Sequence, residues 1–153
     1  MLRTVAAAFL LILALTSAVP AQADGSISSQ NPIEMLTYIP CAGELVSLSG
    51  TVHSVTRLET NDNGIHVESL FNPQGISGVG LTTGDNYVGT GVTRSGSSAT
   101  FETFPYTYTY VNNYRFVGQG TGNNYLVHWN FHQTFLADGT LTSWVDNYSY
   151  ECK

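Results

Sequence analysis

Charge is scarce in this chain. Only 10% of its 153 residues are Asp, Glu, Lys or Arg, and just five are basic: Arg3, Arg57, Arg94, Arg115 and Lys153. They are scattered, so no basic stripe exists to neutralise a phosphate backbone, which argues against nucleic acid as a partner. Beyond the first two dozen residues no apolar run is long enough to span a bilayer. Two isolated cysteines are a poor basis for a zinc site. No stretch after residue 41 sustains a helical period. Several catalytic signatures are also missing. There is no H-E-x-x-H. Ser77 and Ser97 lack a G-x-S-x-G elbow, and Gly78-x-Gly80 and Gly118-x-Gly120 lack the strand-to-helix setting of a phosphate loop. Glu68 with His66 or His53 is an acid/base pair too generic to define chemistry. No cofactor is implied.

What is present begins with an export signal over residues 1–23. Arg3 precedes a short apolar run from Val5 to Leu15, and Ala21-Gln22-Ala23 forms a small-x-small cleavage site. Removing that segment leaves four basic against eleven acidic residues, a net charge of −7. The remaining chain is of one-domain length. Export implies an oxidising compartment, extracellular or periplasmic, so Cys41 and Cys152 are expected to form one disulfide joining the ends of a domain over 41–153. Residues 24–40, with two prolines, read as a lead-in.

After Cys41, short β-branched and aromatic runs alternate with turn signals. The turns are Asn63-Gly64, Asn72-Pro73, Gly84-Asp85-Asn86, Ser95-Gly96, Asn112-Asn113, Gly120-Thr121-Gly122 and Asp138-Gly139. They separate runs over about 44–59, 65–71, 76–82, 87–94, 98–110, 114–119, 124–137 and 140–151. The expected fold is all-β: a single antiparallel up-and-down barrel of about eight strands, whose closure removes exposed edges, with a β-sandwich as the alternative. If Asn72-Pro73 is only a bulge, the count falls to seven. Thr83-Gly84-Asp85-Asn86-Tyr87-Val88 is echoed by Thr121-Gly122-Asn123-Asn124-Tyr125-Leu126, a similarity that shared turn chemistry explains.

The stretch Val127-His128-Trp129-Asn130-Phe131-His132 contains H-x-x-x-H. On a helix that spacing could hold a metal. Here the Asp138-Gly139 turn makes 124–151 a hairpin, and on a strand His128 and His132 lie about 13–14 Å apart, too far to share one ion. A two-residue turn there sets Phe135 opposite Thr142, Gln133 opposite Trp144, Phe131 opposite Asp146, Trp129 opposite Tyr148 and Val127 opposite Tyr150. That face is aromatic and is expected to point inward, leaving the histidines outside. Gln133 and Asp146 are polar misfits on it. Trp129, Gln133, Trp144, Asp146 and Tyr148 are therefore the candidate ligand-binding residues, aromatic walls with two polar anchors. Tyr106, Tyr108 and Tyr110 share one face. If Asn112-Asn113 is a turn, Tyr110 falls opposite Arg115, and Tyr106, Tyr108, Tyr110 and Arg115 form a candidate surface-binding row for a glycan or a protein; a one-residue slip would instead put the tyrosines inside, as core.

Several stretches carry a family resemblance. Residues 74–84 (QGISGVGLTTG), Val111-Asn112-Asn113-Tyr114-Arg115, Gly118-Gln119-Gly120, Asn123-Asn124-Tyr125-Leu126-Val127-His128 and the ending Asp146-Asn147-Tyr148-Ser149-Tyr150-Glu151-Cys152 resemble a family of small secreted bacterial proteins of unknown function. The resemblance implies no activity and no catalytic residues. The expected strand number is also similar to lipocalin-like and allene-oxide-cyclase-like barrels, an analogy of fold only. Three functions follow as expectations. The first is a secreted, non-catalytic protein holding a small apolar or aromatic ligand inside a β-barrel. The second is a surface module using the tyrosine row. The third is a barrel enzyme of isomerase or cyclase type.

Overall fold

A computed structural model describes residues 25–100 and 105–153; the expected export signal lies outside them. Among the described residues there are seven strands: β1 (Gly25–Ile39), β2 (Glu44–Asn61), β3 (Gly64–Gly80), β4 (Asn86–Thr100), β5 (Tyr106–Gly118), β6 (Tyr125–Phe135) and β7 (Leu141–Cys152). They form one sheet in sequential order, every neighbouring pair antiparallel. The all-β meander is as expected. No helix among the described residues is long and apolar enough to cross a membrane.

The turns show why the chain reverses where it does. Gly43, Gly84, Gly122 and Gly139 adopt φ of +67°, +79°, +76° and +83° at four hairpin connections, a region that costs glycine nothing. At the Asn63-Gly64 connection, Asn61 Oδ1 accepts hydrogen bonds from Asn63 N (2.9 Å) and Gly64 N (3.2 Å). Three expected turns are strand interior instead. Asn72-Pro73 lies in β3, where the ladder to β4 is interrupted between Phe71 and Ile76, so the proline removes no needed donor. Ser95-Gly96 lies in β4, and Asn112-Asn113 in β5. Mid-strand Asn112 is tolerated because its side chain is engaged: Thr93 Oγ1 donates to Oδ1 (2.7 Å), and Nδ2 donates to Tyr110 Oη (2.9 Å). Residues 25–39, read as a lead-in, form β1. The eight runs thus become seven strands.

The closed barrel is corrected as well. Among the described residues no ladder joins β1 to β7, so the sheet is open. The Cys41–Cys152 disulfide is present, with Cα atoms 5.4 Å apart. It ties the β1–β2 turn to the end of β7, so the two edges are pinned together at one end of the sheet. The core sits at that end. Ile39, Val46, Leu48, Ile76, Tyr87, Phe116, Tyr125 and Val127 are buried in one cluster drawn from β1 to β6. All come from one face, so the sheet coils with that face concave. Glycines make the coil tight enough: a Cβ on Gly78 would collide with the backbone of Ser47 and Leu48, and one on Gly89 would meet Ile76 at 2.8 Å and Phe116 at 2.9 Å.

Candidate functional site

The concave face changes character along its length. Near the disulfide it is closely packed core, aliphatic on β1 to β3 and partly aromatic on β4 to β6. Further out, over β5 to β7, it becomes a field of aromatic rings. Strand alternation places Tyr106, Tyr108, Tyr110, Asn112, Tyr114 and Phe116 on this face of β5. Pairing then sets Tyr110 against Phe131, Tyr108 against Gln133, Trp129 against Tyr148, Phe131 against Asp146 and Gln133 against Trp144. The rings touch mostly edge to face: Tyr110–Trp129 at 5.1 Å, Phe131–Trp144 at 4.9 Å and Trp129–Tyr148 at 6.2 Å between centroids. Such pairs contribute about 0.5–1.5 kcal/mol each beyond simple burial.

The five residues expected to line a ligand site, Trp129, Gln133, Trp144, Asp146 and Tyr148, therefore share one face, in the register read from the sequence. Only the hairpin tip differs. A shift between Thr134 and Phe135 sets Phe135 opposite Leu141 rather than Thr142, and the turn spans Leu136 to Gly139, closed by Gly139 N donating to Leu136 O at 2.9 Å. Two expectations are corrected. Asp146 is exposed rather than buried, and its Oδ1 accepts a hydrogen bond from Trp129 Nε1 at 2.8 Å. Trp144 and Tyr148 remain 55% and 53% exposed, because β7 is an edge strand with no further strand beside it among the described residues.

The tyrosine row is likewise not a separate surface. Without a turn at Asn112-Asn113, Tyr106, Tyr108 and Tyr110 continue the same aromatic face. Arg115 does not join them. It lies on the opposite face beside His128, lining a separate surface depression. The histidines occupy that opposite face with separate partners. His128 Nδ1 lies 2.7 Å from Asn113 Oδ1, and His132 Nδ1 lies 3.0 Å from Thr109 Oγ1.

Between core and aromatic field lies a cavity of about 300 Å³ that the sequence reading missed. Ile33 and Met35 of β1 face Tyr114 and Phe116 of β5 across it, with Pro73 and Ile76 of β3 between. Thr93 and Asn112, already bonded to each other, supply hydroxyl and amide groups at its wall, and no lining side chain is charged. The alternation Ile33-x-Met35-x-Thr37-x-Ile39 was the available signal. Pro32 and Pro40 hid it by making the segment resemble a lead-in. The burial of Tyr114 pushes its phenol above the ordinary tyrosine value, so it presents a neutral hydroxyl here.

Glu44 is the one buried carboxylate among the described residues. Its oxygens accept hydrogen bonds from Thr82 N and Thr83 N (both 3.1 Å), Thr83 Oγ1 (2.9 Å) and Tyr87 Oη (2.9 Å). Burial pushes the carboxyl up, but these four donors together hold it below its ordinary value. Tyr87 is pushed up to about 12 by burial and by its bond to Glu44. The pair fastens the β3–β4 loop to the start of β2. Every Glu44 oxygen is occupied, which leaves it no role as acid or base.

Set against known proteins, this chain matches no protein family, no curated protein and no solved structure, so the resemblance seen in its motifs assigns it to none.

Proposed function

We propose that the protein is an exported, non-catalytic binder that holds a small, uncharged, apolar or aromatic molecule on the concave face of its sheet. The observation that carries this reading is the 300 Å³ cavity, apolar on most sides and lined by no charged side chain, whose wall residue Asn112 donates to Tyr110 Oη at the start of the aromatic field. Its volume is at the lower end of the range for small-molecule sites. Thr93 and Asn112 would orient a single polar group on the ligand, and Gln133 and Asp146 would contact a ligand long enough to leave the cavity. The disulfide and the predicted export signal support an oxidising, extracytoplasmic setting. The test is native mass spectrometry of the protein purified from the cells that produce it. A neutral adduct released on activation supports the reading; a bare polypeptide, unable to take up neutral apolar compounds added afterwards, contradicts it.

A second reading has its own observation. Trp144, Tyr148 and Tyr150 on β7 are at least half exposed on one face. Rings displayed this way stack on sugars, so a glycan is the alternative ligand, bound by the aromatic field rather than the cavity. Glycan arrays would test it, with Trp144→Ala expected to lose any signal found.

A further inference from the structure

We infer that two copies of this chain associate edge to edge through β7, antiparallel, in a single register centred on Asn147. The argument starts from the free edge of the sheet. Asn124 and Lys153 exchange both backbone hydrogen bonds, each at 3.0 Å, which fixes the phase of the β6–β7 ladder. Odd-numbered residues of β7 bond to β6. The N–H and C=O groups of Trp144, Asp146, Tyr148 and Tyr150 therefore point away from β6, and among the described residues no strand accepts them. Edge strands are ordinarily blunted by proline, lysine or a bulge. The other edge, β1, carries Pro32 within it. From Thr142 to Glu151, β7 has no proline, glycine or lysine. Its register shift lies at its very start, beside Thr142, and Asp146 and Glu151 are its only charges, so ten residues remain as a regular pairing template.

Its own sequence specifies a second copy as the occupant. Opposed residues in a ladder share a face, so a symmetric β7–β7 pair that keeps the aromatic faces continuous must set even residues against even. Two such registers overlap over nearly the whole strand. One puts Asp146 directly against Asp146 of the second copy, two like charges in contact, which is unfavourable. The other sets Asp146 against Tyr148, Trp144 against Tyr150 and Asn147 against itself. It relieves the charge conflict and extends the aromatic row across the two-fold axis. Of the two registers it alone avoids a like-charge pair, which selects it. The inference is independent of what the concave face binds.

Sedimentation equilibrium and a cysteine placed at the axis test this directly. Asn147 would lie in a non-hydrogen-bonded pair, with Cα atoms about 4.5 Å apart, within disulfide range. Asn147→Cys is expected to give a disulfide-linked dimer in air while the Cys41–Cys152 bond, checked by peptide mapping, persists. Val145→Cys, which would face Ser149, is expected to stay unlinked. Tyr148→Pro removes a donor that β6 does not use, and should weaken association at least tenfold while the monomer still folds. A wild-type chain that sediments as a monomer at all accessible concentrations, or cross-linking by Val145→Cys and not Asn147→Cys, would overturn the inference.

Discussion

Tyr87 and Glu44 show how single residues secure the closed end. Tyr87 is 1% exposed, and its hydroxyl donates to a carboxylate that also caps the β3–β4 loop. Tyr87→Phe should cost roughly 1.5–3 kcal/mol, the scale of a hydrogen bond to a charged group, measured by urea unfolding. The pH dependence follows from the directions of the two shifts. Glu44 titrates below its ordinary 4.5, so its contribution is present above that pH and is lost as pH falls through the folded value. Tyr87 titrates above its ordinary 10.0, at about 12, so its contribution is complete below pH 10 and is lost as pH rises from there toward 12. Glu44→Gln should flatten the acid limb of the stability profile and leave the alkaline limb partly in place. None of this was legible in the sequence. Glu44 follows a glycine turn, as exposed carboxylates commonly do, and only the coil of the sheet brings Thr83 and Tyr87 to it. Asp146 was misread for the converse reason: its position on the aromatic face was legible, but its burial depended on a strand beyond β7, and none is found among the described residues.

Among the elements, the β6–β7 hairpin was the most legible. Asp138-Gly139 marks the reversal and period-two alternation does the rest, so four of the five aromatic-face pairings follow from local chemistry alone; the bulge at Thr134/Phe135 removes the fifth. β5 was the least legible, because Asn112-Asn113 has the composition of a turn. What keeps it extended is a bond from Thr93 on the neighbouring strand, a partner nineteen residues away that no local pattern names. Gly78, Gly80, Gly89 and Gly91, inside β3 and β4, sit where neighbouring atoms approach too closely for a Cβ. Gly78 is the sharpest case, since a Cβ there would meet the Ser47 carbonyl and the Leu48 Cα. Backbone cannot yield as a side-chain tip can. Gly78→Ala is therefore expected to destabilise the fold by about 1–3 kcal/mol or more, through strain between β2 and β3. Thermal melts of Gly78→Ala beside Gly96→Ala, where a Cβ meets nothing within 4 Å, would separate strain from propensity.

For the molecule as a whole, an open sheet holds its concave shape by two devices, the core at one end and the disulfide that pins the edges there. The pairing of Cys41 with Cys152 was legible from export and position. The open seam was not, since strand counts do not reveal whether edges hydrogen-bond. The bond spans a sequence separation of 111 residues, and the chain-entropy model gives roughly 4–5 kcal/mol for a loop of that size. The Cys41→Ser, Cys152→Ser variant should lose up to that amount by urea unfolding. It should also loosen β1 more than β6, visible as faster amide exchange over residues 25–39, because β1 is held by β2 on one side alone.

The cavity depends on β1 lying over β5, so binding and whole-molecule shape stand together. The most direct measurement is a fluorescence titration with N-phenyl-1-naphthylamine, a neutral apolar probe, on the wild-type chain and on Ile33→Trp, which fills the cavity from a strand edge with room to adjust. Saturable binding of one probe per chain, weakened at least tenfold by Ile33→Trp with the circular dichroism spectrum unchanged, is the predicted result. An absence of saturable binding, or equal affinity in the two proteins, would contradict it.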